Sequence, residues 1–186
     1  MTARGGFTLL ELAVVLVIAG IVATIVLPRL DLGAVRLDAA ERQVSLMIAA
    51  GQQRALTRQH DIHLRFDVAG SRLLMHEDPD NDGEVDPGER EDAIPLEEGV
   101  VFGRAAASVG PPGAAPVSFR EDSRDLPTLT FHRSGSASQA GGFYMAREDG
   151  VSEPGQVRAL MVERATGRVV RYFNDEEGKW QRHTGG

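Results

Sequence analysis

The stretch in this 186-residue chain with the strongest claim to chemistry is DPDNDGEVDPGE, residues 78–89. It fits the pattern D-x-[DN]-x-[DN]-G-x5-E. Asp78, Asp80 and Asp82 stand at positions 1, 3 and 5, Gly83 at 6, Asp86 at 9 and Glu89 at 12. A hard cation takes six or seven oxygens, and the glycine permits the sharp turn such a loop needs. Glu84 at position 7 would add its backbone carbonyl, and Val85 fills the apolar eighth position. Calcium is therefore the candidate ion. The flanking residues read as strands, however, and not as the two helices of an EF-hand. An acidic Asp/Asn/Gly hairpin loop stiffened by Pro79 and Pro87 is the structural alternative.

Other chemistry is poorly served. The five histidines, His60, His63, His76, His132 and His183, are scattered, with no third ligand near the His60/His63 pair. Ser134, Ser136 and Ser138 lie in a glycine-bearing turn without a G-x-S-x-G elbow. There is no P-loop, no GxGxxG and no cysteine, which removes nucleotide cradles, thiolate metal sites and cysteine nucleophiles. No enzymatic activity is expected. A net charge of −7, with arginines dispersed among acids, gives no basic patch, so no nucleic-acid partner is expected.

The second unusual carboxylate is Glu11. It is the only charge in the 21-residue apolar run from Phe7 to Leu27. As a helix that run would rise about 31 Å, enough for a ~30 Å hydrocarbon layer. A carboxylate in lipid costs about 2.5–3.5 kcal/mol at a helix centre and less near an interface. A plain anchor supplies no reason for it. A cleaved secretory signal fits no better, because the apolar run is too long and LPRLDLG lacks a small-x-small cleavage site.

RGGFTLLELAVVLVIAGIVATIVLP closely resembles the class III signal segment of type IV pilins and pseudopilins. The resemblance implies a short basic leader, residues 1–6, removed by a prepilin peptidase between Gly6 and Phe7. Phe7 is then N-methylated. It implies that Glu11, fifth in the mature chain, pairs with the terminal amine of a neighbouring subunit during filament assembly. Pro28 falls where pilins often place a helix-disturbing proline.

These residues must be positioned by the elements around them. Residues 7–28 read as a transmembrane and filament-core helix, and 29–58 as its amphipathic continuation. Leu37, Ala40, Val44, Met47, Ile48, Gly51 and Ala55 recur at spacings of three and four. Residues 59–186 form a β-rich head. DIHLRF and RLLMHE read as a hairpin around Ala69-Gly70-Ser71, and AIPL and GVVFG as short extended pieces. TLTFH, GFYMARE, VRALMVE and GRVVRYF follow as strands, and the Gly/Pro/Ala-rich stretch 104–116 reads as a flexible loop. The fold class is α+β, a long N-terminal helix packed on an antiparallel sheet.

TLTFHRSGSAS, GGFYMA and VRALMVERATGRVVRY resemble the C-terminal strands of GspH/FimT-type pseudopilins. ERQVSLMIAAGQQRALTRQHDIHLRF resembles that group's helix-to-strand entry. This branch implies a type II secretion system minor pseudopilin at or near the tip of a periplasmic pseudopilus. The alternative is a FimT/FimU-like minor pilin that primes a type IV pilus. The implied location is the bacterial inner membrane, single-pass, with the C-terminal domain in the periplasm. The implied partners are other minor and major pseudopilins, the prepilin peptidase and the inner-membrane assembly platform, with secreted cargo or the secretin as further contacts. No cofactor is required.

Overall fold

The computed structural model describes residues 8–26, 32–104, 108–148, 156–175 and 177–183. The chain divides into two units, Met1–Leu32 and Gly33–Gly186.

In the first unit, α1 spans Leu9–Val26. It begins with a Thr-x-x-Glu capping box. The Glu11 amide donates to Thr8 Oγ1 at 3.2 Å, and the Thr8 amide reaches back to Glu11 Oε2 at 3.5 Å. The carboxylate therefore also has a local task, closing the helix N-terminus. Apolar side chains are exposed on every side of α1, Leu9, Leu16 and Val17 among them. The 18 residues rise about 27 Å. Among the described residues no helix is long and apolar enough to cross a membrane. The ends of the apolar run, including Phe7, Leu27 and Pro28, lie outside the described residues.

In the second unit, α2 spans Leu32–Arg58. Its Leu37, Ala40, Val44, Ile48 and Ala55 are fully buried, a stripe at the expected helical spacing, with Met47 half-buried beside it. Gln59 ends the helix in the left-handed region at φ 61°, its amide bonded to the Ala55 carbonyl.

Among the described residues nine strands follow: β1 Asp61–Asp67, β2 Arg72–Asp78, β3 Arg90–Pro95, β4 Val100–Phe102, β5 Thr128–Phe131, β6 Gly141–Arg147, β7 Val157–Val162, β8 Val169–Asn174 and β9 Trp180–Arg182. They form two antiparallel sheets, not one. The first has the order β3-β2-β1-β5 and the second β4-β6-β7-β8-β9. The α2 stripe, the inner face of the first sheet (Ile62, Leu64, Phe66, Leu73, Met75, Leu129, Phe131) and Phe143, Met145, Leu160 and Val162 of the second make one apolar cluster. Phe66 lies at its junction, with ring centroids 4.9 Å from Phe143 and 5.4 Å from Phe102. Five residues of α2 and two sheets thus share a single core, as a β-rich head on an amphipathic helix requires.

The stretch expected to be a flexible loop is tied down over its described part. The Gly110 amide donates to Tyr144 Oη at 2.6 Å, and that hydroxyl donates to the Gly113 carbonyl at 2.9 Å. Trp180 Nε1 donates to the Ser108 carbonyl at 3.1 Å. Composition hid this because the clamps come from β6 and from β9, a three-residue strand that carries no periodic signal. Tyr144→Phe removes both clamp bonds and should cost about 1–3 kcal/mol. Denaturant melts should show this loss, with faster amide exchange confined to residues 108–116. An unchanged midpoint would mean the turn holds itself.

Candidate functional site

The outer face of the first sheet is polar and yet buried. Strand alternation puts His63 and Arg65 on the face opposite Leu64, and the β1–β2 register sets His63 against His76. The β1–β5 register adds Thr130 beside His63 and Thr128 beside Arg65. Arg65, His76 and Asp78 have no exposed surface, and His63 has only 9%. Two acidic segments engage this row, residues 78–89 and 120–126.

Each buried group has a partner from those segments or a neighbouring strand. His63 Nε2 lies 2.8 Å from Asp78 Oδ2, and His63 Nδ1 lies 2.8 Å from Thr130 Oγ1. An ionised carboxylate only accepts, so Nε2 carries the proton and Thr130 donates to Nδ1. The other Asp78 contacts are amide donations from Asn81 at 2.7 Å and Gly83 at 2.9 Å. His76 Nε2 lies 2.7 Å from Glu89 Oε2, which also accepts from the Asp86 amide at 2.9 Å. The two imidazoles stack with centroids 5.5 Å apart. Arg65 bonds Asp122 through Nε and donates to the Gly83 carbonyl through Nη2 at 2.9 Å, with Glu91 3.7 Å from Nη1.

The charge states follow from these contacts. Burial pushes His63 below its ordinary value, outweighing the Asp78 hydrogen bond that favours the charged ring. Burial would raise Asp78, but the bonds from His63, Gly83 and Asn81 hold it below the usual carboxylate range. Asp122 is likewise held down by Arg65 against its own burial. Glu89 is lowered by the Asp86 amide and by His76. The layer is thus a set of ionised carboxylates closed over a buried guanidinium and a neutral imidazole.

The sequence-predicted metal loop sits directly on this layer. Asp78, Asp80 and Asp82 can each turn one oxygen toward a shared point, all within 4.8 Å of one another. Asp80 and Asp82 are exposed, as are Glu84 and Asp86. Glu89, assigned the bidentate position, is already bonded to His76 and to the Asp86 amide. A cation here therefore competes with two imidazoles for the two end carboxylates. Beside the loop, a cleft of about 350 Å³ is bounded by His63, Asp82, Glu84, Arg120, Glu121 and Thr130 among others. Two of the histidines that look scattered in the sequence, His63 and His76, are gathered here, and the signal that could have found them is the hairpin register itself. A turn centred on residues 69–71 pairs 63 with 76.

Of the N-terminal site residues, Gly6, Phe7 and Pro28 lie outside the described residues, and Glu11 stands at the capping box. The family model described as the prokaryotic N-terminal methylation motif matches residues 1–27. The chain has a type IV pilin-like N-terminus. The match covers Arg4, the Gly6–Phe7 junction and Glu11. No curated protein sequence matches the chain. Among solved structures, the chain is similar to the type IV minor pilin FimU of Pseudomonas aeruginosa, with 12% identity, 80% of this chain and 92% of that chain covered, and a TM-score of 0.47. It is also similar to the minor pseudopilin EpsH of the Vibrio cholerae type II secretion system. Two structures of that protein give 13% and 16% identity, 80% and 81% coverage of this chain, 96% and 95% of theirs, and TM-scores of 0.37 and 0.38.

The charged layer makes stability depend on pH in one direction. The unfolded chain protonates His63 near 6.5 while the folded chain resists, so this contribution is full above 6.5 and is lost as pH falls toward the lowered folded value. Asp122 contributes stability that is full above its ordinary 3.8 and is lost as pH falls through its depressed folded value. Urea melts with a chelator present should show a plateau above pH 7, a decline beginning below 6.5 and a steeper fall below about 4. Burial raises the Glu41 carboxyl, which acts in the opposite sense, so a gain in stability between pH 7 and 5 that persists in Glu41→Gln would contradict this charge assignment.

Proposed function

We propose that the chain is a minor pseudopilin of the type II secretion system, a structural subunit at or near the tip of a periplasmic pseudopilus. The observation that carries this reading is the methylation motif over residues 1–27, with Glu11 as the single charge of the apolar run. The motif supports a membrane-anchored N-terminus that a prepilin peptidase cleaves between Gly6 and Phe7. The exposed apolar surface of α1 supports a helix that leaves lipid only for another apolar environment, the centre of a filament. There the low dielectric strengthens the attraction between Glu11 and a neighbour's terminal amine and makes an unpaired carboxylate costly. The β-rich head then makes lateral and tip contacts with other pseudopilins.

The capping box sharpens the test. Glu11→Gln keeps the capping geometry, since glutamine serves at that position, but removes the charge. Glu11→Ala removes both. Both variants should still insert and be processed. Both should enter purified filaments roughly tenfold less than wild type, as expected for a lost low-dielectric ion pair. Wild-type incorporation of Glu11→Gln would show that Glu11 acts only as a cap. A deletion strain assigns the machine: loss of protein export with surface pili retained supports the secretion reading. Loss of pili with export intact favours the FimT/FimU-like minor pilin instead.

A further inference from the structure

The arginines that look dispersed in the sequence are not all dispersed in the fold. Two turns meet over α2 at the end where that helix finishes. Gln52 Nε2 donates to the Gly135 carbonyl at 2.6 Å and to the Thr166 carbonyl at 2.7 Å. The Ala137 amide donates to the Arg164 carbonyl at 2.9 Å, joining the same two turns. They carry Arg133, Arg164 and Arg168, all exposed, and the exposed Arg58 closes α2 beside them. None of these four guanidiniums has an ion pair among the described residues, whereas Arg54, Arg65, Arg72, Arg90, Arg124 and Arg158 are each paired. In a chain of net charge −7, these exposed arginines outnumber the one carboxylate of the two turns, Glu163, which accepts from the Thr166 hydroxyl.

We propose that this end of the head, centred on Arg133, Arg164 and Arg168, is a docking surface for an acidic segment of a partner protein. Charge complementarity selects the occupant. A nucleic acid would be the other polyanion, but among the described residues of the two turns the one partly exposed aromatic ring is His132, and Asp61 already holds it. The carboxylates of residues 78–89 flank the same end, where Asn81 Oδ1 holds the Asp61 amide and Asp61 holds His132. A long phosphate backbone would meet that repulsion, whereas a short acidic peptide is small enough to avoid it.

The test uses the full chain in neutral detergent and a fluorescent dodecapeptide, DPDNDGEVDPGE, as the acidic probe. An Asn/Gln version of the peptide is the uncharged control, and a twelve-nucleotide single-stranded DNA the competing polyanion. The acidic peptide should bind at about 20 mM salt and be released by about 300 mM, as an exposed charge contact is screened. The Arg133→Ala/Arg168→Ala pair should weaken it roughly tenfold, while Arg120→Ala, exposed at the cleft instead, changes it by no more than about twofold. Absence of binding at millimolar peptide overturns the proposal. So does equal binding of the neutral peptide, or an equal loss in Arg120→Ala. Tighter binding of the DNA than of the acidic peptide assigns the patch to nucleic acid and overturns the acidic-segment reading.

Discussion

The head is organised around a buried guanidinium that cannot shed its charge. Arg65 has no exposed surface, and arginine stays protonated at any pH a protein survives. Leaving such a charge without partners costs on the order of 3–5 kcal/mol. The fold meets this constraint by bringing two separate segments back over one sheet. Asp122 comes from the segment before β5, the Gly83 carbonyl from the loop after β2, and Glu91 from β3. The loop that supplies Gly83 also carries Asp78 and Glu89 to the two imidazoles. The two end carboxylates of residues 78–89, Asp78 and Glu89, therefore have structural partners within the chain.

This changes how the two carboxylate-rich features of the chain are understood. In the loop, the end residues Asp78 and Glu89 face inward to histidine, while Asp80 and Asp82 stay exposed. At the N-terminus, Glu11 closes a helix and also holds the single charge of an apolar run. In both places the structure gives the carboxylates a local role, whatever the role the sequence motif suggests. Only substitutions that preserve the local role can separate the two.

Much of the fold was legible in the sequence because it follows short-range periodicity. The α2 stripe of Leu37, Ala40, Val44, Ile48 and Ala55 repeats at helical spacing, and the hairpin of β1 and β2 alternates around an Ala-Gly-Ser turn. Three features were hidden because they depend on contacts distant in sequence. The strands split into two sheets, since β4 pairs with β6 across an intervening β5 that belongs to the first sheet. The Tyr144 clamp joins residues 31 and 34 positions apart. The buried polar row of His63, Arg65 and His76 depends on the register of β1 and β2, and the arginine cluster on two turns that meet at Gln52. The N-terminal methylation motif was the opposite case, because its signal lies entirely in the contiguous residues 1–27.

The proposed pseudopilin role requires that residues 1–6 be a leader and that Phe7 begin the working subunit. Intact-mass spectrometry of the chain purified from the membranes of its native host tests it most directly. The expected species lacks residues 1–6 and carries one methyl group on the Phe7 amine. An unprocessed chain beginning at Met1, in cells whose prepilin peptidase processes its other substrates, would contradict it.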